Sequence, residues 1–233
     1  MDIFRSLCLF GMLACSGSSL AATRPTVVEL YTSEGCSSCP PADQLLETLS
    51  RRPDVLALAF HVRYWDSLGW PDRFALALAD DRQSRYARRL ALPSVFTPQL
   101  VVEGERSFVG SDQRGIVPAL AATHQGPAIT LQATAEQLQI RIADGPAAPA
   151  AEVLLLALLP QASTAIGRGE NSGRTLREVN VVRAGIVLGS WSGTAQNYTV
   201  ARSALPADAG ALAVLVQQRD QSGILGARMF SLR

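Results

Sequence analysis

The sequence predicts an α/β unit followed by an all-β, sandwich-like unit. Three observations carry this reading. Early in the chain, apolar β-branched runs alternate with helical stripes around a pair of close cysteines. Near Gly126 the apolar period changes to two, and beyond it almost no helical pattern remains. The chain has 233 residues, 48% hydrophobic and 18% charged, enough to bury one large core or two ordinary ones.

The elements follow in order. "MDIFRSLCLFGMLACSGSSLAA" has one basic residue, Arg5, then an apolar core and a small-residue end. It reads as a signal peptide over residues 1–21, cleaved after Ala21. A second reading takes "MLAC" as a lipoprotein box with Cys15 as the lipidated terminus. Both readings export the chain, to the periplasm or beyond. Cleavage after Ala21 removes Cys8 and Cys15 and leaves Cys36 and Cys39.

The α/β unit is expected over residues 23–126. "TVVELY" reads as a buried strand. Pro40 and Pro41 suit the first turn of a helix, with Cys39 near its N-cap. Leu45, Leu46 and Leu49 supply its apolar stripe. "VLALAFHV", Val55 to Val62, is a second buried strand, parallel to the first by a right-handed crossover. "RYWDSLGWPDRF" is an aromatic loop, and the helical pattern from Pro71 to Leu90 predicts a long helix. "TPQLVVEGERSFVG" reads as a hairpin turning at Glu103–Gly104. Ser111 is placed to cap a last helix running toward His124, interrupted by Pro118. The order β–α–β–α–β–β–α is the thioredoxin-like arrangement.

"HQGPA" marks the boundary to the second unit, residues 127–233. Its short strand-like runs include "AITLQAT", "QLQIRIA", "EVLLLALL", "REVNVVRAGIVLGSW", "NYTVARSAL", "ALAVLVQQRD" and "GARMFSL", with turn residues between them. The longest apolar run, Val153 to Leu159, is too short to span a bilayer and reads as a buried strand. The mature chain is therefore expected to carry no transmembrane segment. A net charge of +1 with no Lys/Arg run predicts no nucleic-acid partner.

Cys36 and Cys39 admit three readings: a working thiol pair, a metal clip or an inert staple. So short a loop gives a staple little chain entropy to remove. A C-x-x-C ahead of a helix presents its first sulfur to solvent near the positive end of the dipole, which favours the thiolate. The second cysteine resolves the mixed disulfide. Cys36 is then the attacking thiol and Cys39 the resolving one, with Gly35 making the turn and no cofactor beyond the redox-active disulfide. Thr97–Pro98, just before a strand, suits a cis-proline facing the pair, with Pro98 presenting backbone to a substrate and Thr97 beside it in the substrate-binding set. The alternative is an ordinary turn proline. Glu29, inside an apolar strand, is either a buried proton acceptor for Cys39 or an outward carboxylate. His61, at the end of its strand, either tunes the thiolate, ligates a metal or packs. Tyr64, Trp65 and Trp70 shape a groove. The metal reading uses both thiols and His61 for Cu(I) or Zn(II), but the chain has two histidines and no second C-x-x-C.

"VVELYTSEGCSSCPPAD", "ALAFHVRYWDSLGWPDRFA", "VFTPQLVVEG", "VGSD", "GRGENSGRTLREVNVVR" and "LGSW" resemble, in order, the DUF1223 family of exported bacterial proteins. The resemblance runs over nearly the whole mature chain. It implies a thioredoxin-like domain with a C-S-S-C pair and leaves the function unassigned. It also leads us to expect an acid where this chain has Arg63. Within it, the loop Gly167–Arg174 and the run Asn180–Arg183 either bind anions or seat the second unit on the first. Asn197 formally opens a glycosylation acceptor, which carries no weight in a bacterial-looking chain.

The functional expectation is an exported thiol–disulfide oxidoreductase acting on protein thiols or disulfides. The alternatives are a copper- or zinc-binding thiol protein and a non-enzymatic protein-binding adaptor.

Overall fold

The computed structural model describes residues 22–232; the expected signal segment, with Cys8 and Cys15, lies outside the described residues. A short strand β1 (Ala22–Arg24) leads into β2 (Thr26–Thr32), α1 (Pro40–Ser50), β3 (Val55–His61), α2 (Ala77–Arg89), β4 (Gln99–Val102), β5 (Arg106–Val109) and α3 (Gln113–Ala119). Strand β6 (His124–Gly126) returns to pair with β1. Beyond it come strands and one short 3-10 turn at Arg202–Ala204: β7 (Ile129–Ala133), β8 (Gln137–Ile142), β9 (Ala151–Ala165), β10 (Thr175–Trp191), β11 (Gln196–Ala201), β12 (Ala211–Gln218) and β13 (Ile224–Ser231). The protein is mostly β, with few helices. Among the described residues no helix is long and apolar enough to cross a membrane.

A mixed eight-stranded sheet organises the molecule, in the order β13-β12-β9-β10-β3-β2-β4-β5. Strands β2 and β3 run parallel, and β4 lies antiparallel on the other side of β2. This sheet crosses the boundary expected at residue 126. β10 docks beside β3 at Val181 and Ala59, so four strands of the second half extend the sheet of the first. The physical reason lies in β3, whose every residue is buried. Left as an edge, it would expose a row of unpaired backbone groups on an apolar strand. Only β7, β8 and β11 form a separate three-stranded layer. The sandwich expectation therefore corrects to one layer laid on a shared sheet.

The alternation of side chains assigns the two faces. Val27 and Tyr31 of β2, Leu56, Leu58 and Phe60 of β3, and Leu154 and Leu156 of β9 share one face with Ala79 and Tyr86 of α2. Val28 and Leu30, with Ala57 and Ala59, face α1 and α3 through Leu46, Leu49 and Ile116. Farther along the sheet, Val153, Leu155, Leu212 and Val214 pack against Leu138, Ile140 and Ile142 of the three-stranded layer.

Two local expectations are adjusted and a third holds. Helix α2 begins at Ala77 rather than Pro71, because Asp72 turns the preceding chain by accepting from the Glu34 and Phe74 amides, both at 2.8 Å. Helix α3 is capped by Asp112, whose carboxylate accepts from the Gly115 amide, rather than by Ser111; it ends just after Pro118. The hairpin does turn at Glu103–Gly104, with φ of +55° and +69°, the two positive values that a tight turn with the sheet's twist requires.

Candidate functional site

Strand β2 ends at Thr32, and a tight turn brings the chain to Cys36, whose amide donates to the Ser33 carbonyl. Cys39 is the N-cap of α1 with Pro40 at the first helical position, as the double proline requires. Cys36 and Cys39 are joined as a disulfide. Gly35 does not adopt a positive φ; a Cβ there would lie 3.2 Å from the Cβ of Trp65, a tight contact that glycine avoids.

The sequence-derived residues gather unevenly. The Thr97–Pro98 peptide is cis, and Thr97 Oγ1 donates to Cys36 Sγ at 3.4 Å. Trp65 Nε1 in turn donates to Thr97 Oγ1 at 2.8 Å, linking indole, hydroxyl and sulfur in one chain. Tyr64 stands beside them, exposed. Ser38 Oγ also lies 3.4 Å from Cys36 Sγ. Both cysteines are nevertheless 0% exposed, whereas an attacking thiol at Cys36 was expected to face solvent.

Glu29 is not brought to the cysteines. It shares the β2 face of Val27 and Tyr31, opposite the face that meets α1. There Arg82 of α2 binds it through Nε at 2.5 Å and Nη2 at 2.8 Å, and Tyr86 donates to it at 2.7 Å. Its buried charge is compensated by an ion pair, so the role of proton acceptor for Cys39 passes from it. Arg63 is likewise paired, with Asp80 at 2.6 Å on the surface.

A different acid lies on the correct face. Asp43 follows Cys39 by four residues, one turn along α1, and its carboxyl accepts from Thr32 Oγ1 at 2.8 Å. It belongs to a buried group comprising Glu34, Asp43, Asp72 and Glu178 around His61. His61 Nδ1 and Asp72 Oδ2 are 2.7 Å apart. Burial opposes the imidazolium, but the Asp72 carboxylate outweighs it, and with Glu178 and Asp43 nearby His61 rises to about 9. Burial pushes Asp43 up to about 7 against the pull of His61 and the Thr32 hydrogen bond. Burial also pushes Glu178 up to about 8. Burial works against the Asp72 carboxylate, yet His61 and two backbone amides hold it below its ordinary value. His61 Nε2, Glu34 Oε1 and Glu178 Oε2 are buried without a protein hydrogen-bond partner. His61 thus neither touches the sulfurs nor joins a ligand set: among the described residues no group of three or more His, Cys, Asp and Glu is arranged to hold a metal.

The sequence signal for Asp43 was present in "CPPAD", where an i, i+4 spacing puts it on the Cys39 side of the helix. Glu178 left no such signal, because it arrives on β10 from a distant part of the chain.

The loop Gly167–Arg174, between β9 and β10, reaches the same turn. Asn171 is fully buried, and its amide donates to the carbonyls of Glu34 and Cys36, both at 2.9 Å. Glu170 Oε2 accepts from the Ser37 amide at 3.2 Å. Trp70 donates to Glu34 Oε2 at 2.7 Å, and its side chain lies against Gly169.

A family model described as protein of unknown function (DUF1223) matches residues 27–217. The chain is similar to an X-ray structure of a structural-genomics target protein from Agrobacterium tumefaciens, at 28% identity and TM-score 0.78, covering 91% of this chain and 96% of that one. It also shares its fold with HBP35 of Porphyromonas gingivalis, at 13% identity and TM-score 0.55, covering 90% of this chain and 76% of that one. No curated protein matches the chain.

Proposed function

The chain belongs to the DUF1223 family, a family of unknown function, and on that premise we propose that it is an exported thiol–disulfide oxidoreductase of proteins, built on a thioredoxin-like unit. One observation carries the reading: the Cys36–Cys39 disulfide sits at the start of α1 with the cis Thr97–Pro98 peptide against Cys36. A disulfide at a helix N-terminus beside a cis-proline suits exchange with a polypeptide thiol, and this is what supports the reading.

The exchange reads as follows. A partner thiolate attacks Cys36 Sγ, the Cys36–Cys39 bond breaks, and its electron pair leaves on Cys39. Asp43, near neutrality in its titration and one turn along α1, manages the proton of Cys39. A second partner thiol then attacks the mixed disulfide, leaving both cysteines reduced and the partner oxidised. In this direction the protein is the oxidant; the reverse sequence makes it a reductant. The N-terminal segment, under this reading, delivers the chain to the periplasm or the exterior, where such exchange occurs.

The complete burial of both cysteines favours a second reading, a closed structural pair in an adaptor. The reduction potential in glutathione buffers separates them, with bound copper and zinc assayed on the same sample. A metal-free pair within about −120 to −270 mV, the span of catalytic dithiols, supports the oxidoreductase. A potential below about −300 mV supports the structural pair. Stoichiometric metal on the thiols would support the metal-binding alternative.

A further inference from the structure

Three backbone groups around Cys36 would lose a hydrogen bond if the β9–β10 loop were lifted away: the Glu34 carbonyl, the Ser37 amide, and the Cys36 carbonyl, which would keep only the Cys39 amide at 3.2 Å. In the structure each is taken by the loop. Asn171 uses both amide hydrogens on the two carbonyls, at 2.9 Å each, and Glu170 takes the Ser37 amide at 3.2 Å. The Asn171 oxygen is held in turn by Arg174 Nη1 at 3.1 Å. Asn171 is 0% exposed, yet residues 167–170 and 172–174 on either side of it are exposed. One buried side chain therefore anchors an otherwise solvated loop over the turn. Gly169 and Gly173, at φ +80° and +81°, bend the chain on both sides of the anchor.

We propose that Asn171 and Glu170 are specificity determinants of the dithiol site, which close Cys36 to small thiols and yield to a polypeptide that replaces their hydrogen bonds. The inference rests on the oxidoreductase reading above. A small thiol brings a sulfur but no backbone, and it reacts only when the loop opens spontaneously. An extended polypeptide brings N–H groups for the Glu34 and Cys36 carbonyls and a carbonyl for the Ser37 amide, the same two donors and one acceptor that the loop supplies. Opening by such a partner replaces the loop's hydrogen bonds one for one, whereas opening without one leaves the Glu34 carbonyl and the Ser37 amide to water alone. The chemistry is unchanged from the exchange above: the incoming thiolate bonds to Cys36 Sγ, and Cys39 departs with the electron pair and is protonated.

The test measures the rate of Cys36–Cys39 reduction in the full mature chain by two probes, dithiothreitol and a reduced thioredoxin, compared at equal thiolate concentration. The wild-type protein reacts about tenfold or more faster with the protein dithiol. Asn171→Ala removes two buried hydrogen bonds and accelerates the dithiothreitol reaction about 10- to 100-fold, with little change for thioredoxin. Glu170→Ala, at an exposed position that cannot unfold the protein, shifts the dithiothreitol rate about two- to threefold in the same direction. Dithiothreitol rates equal to wild type in both variants would overturn the proposal. If Asn171→Ala fails to fold, Glu170→Ala decides alone, and an unchanged rate overturns it. Faster dithiothreitol reduction with no reaction toward thioredoxin also overturns the selection of polypeptides. The oxidoreductase reading fails separately, on the reduction potential, whichever way these rates fall.

Discussion

Glu29 and Arg82 form a two-pronged ion pair in which both side chains are almost completely buried, with contacts of 2.5 and 2.8 Å. Gln217 of β12 accepts from the same guanidinium at 2.6 Å, so the pair also ties the first half of the chain to the second. Removing one partner strands the other charge in the core. Glu29→Ala is expected to cost about 3–5 kcal/mol in urea unfolding, the usual penalty for an orphaned buried charge. The same variant leaves the reduction potential of Cys36–Cys39 unchanged, since Glu29 lies on the far face of the sheet. A shift in potential without loss of stability would return Glu29 to the site.

Asp43 is the acid on the cysteine side. In the reduced protein, alkylation of Cys39 as a function of pH should show an inflection near 7, where Asp43 titrates. Asp43→Asn removes that inflection and slows exchange at pH 7 by about a hundredfold, the lower end of the general-base range. A variant whose profile keeps the inflection at 7 assigns it to another group.

Stability should fall as pH rises. His61 is raised from 6.5 to about 9, so its contribution is complete below 6.5 and lost as pH passes through 9. Asp43 and Glu178 are raised from 3.8 to about 7 and from 4.5 to about 8; each favours folding below its ordinary value and loses that contribution as pH climbs through the folded one. Asp72 has the opposite sign, its contribution present above 3.8 and lost as pH falls. The urea midpoint should therefore decline from pH 5 to pH 9, and Glu178→Gln should flatten the decline. A midpoint that climbs over that range contradicts the cluster's charge states.

Asn180 joins the two halves of the sheet. It sits at φ +49° beside the β10–β3 contact and donates to the Ala57 carbonyl at 3.0 Å. Asn180→Ala loses that bond, strands a buried carbonyl and keeps a left-handed backbone with a Cβ, about 2–3 kcal/mol in all. Asn180→Gly relieves the backbone part and should be milder by about 1 kcal/mol. Chemical denaturation of the two variants checks the difference.

Which features the sequence foretold follows from the range of the forces involved. The start of α1 at Pro40 was readable because proline acts on its own backbone. The strands from Thr26 to Thr32 and from Val55 to His61 were readable because their apolar runs require burial wherever they lie. The Glu103–Gly104 hairpin was readable because its dihedral needs are local. The same locality misled at Pro71, where Asp72 is spent on the distant Glu34 amide and on Phe74 in its own turn instead of opening a helix.

The sequence by itself determined the dithiol, the helix behind it, the proline that faces it and the family to which the chain belongs. Tertiary structure alone decided the rest. Glu29 had two possible faces, and the packing of α2 with Arg82 chose the one away from the sulfurs. The edge of β3 was open in any local reading, and β10 closed it, carrying Glu178 to His61. Asn171 lies 135 residues from Cys36, and no pattern in the chain pairs them. They meet because a strand added to the sheet fixes where its preceding loop must land. That position results from the burial of many side chains together, which no short stretch of sequence encodes.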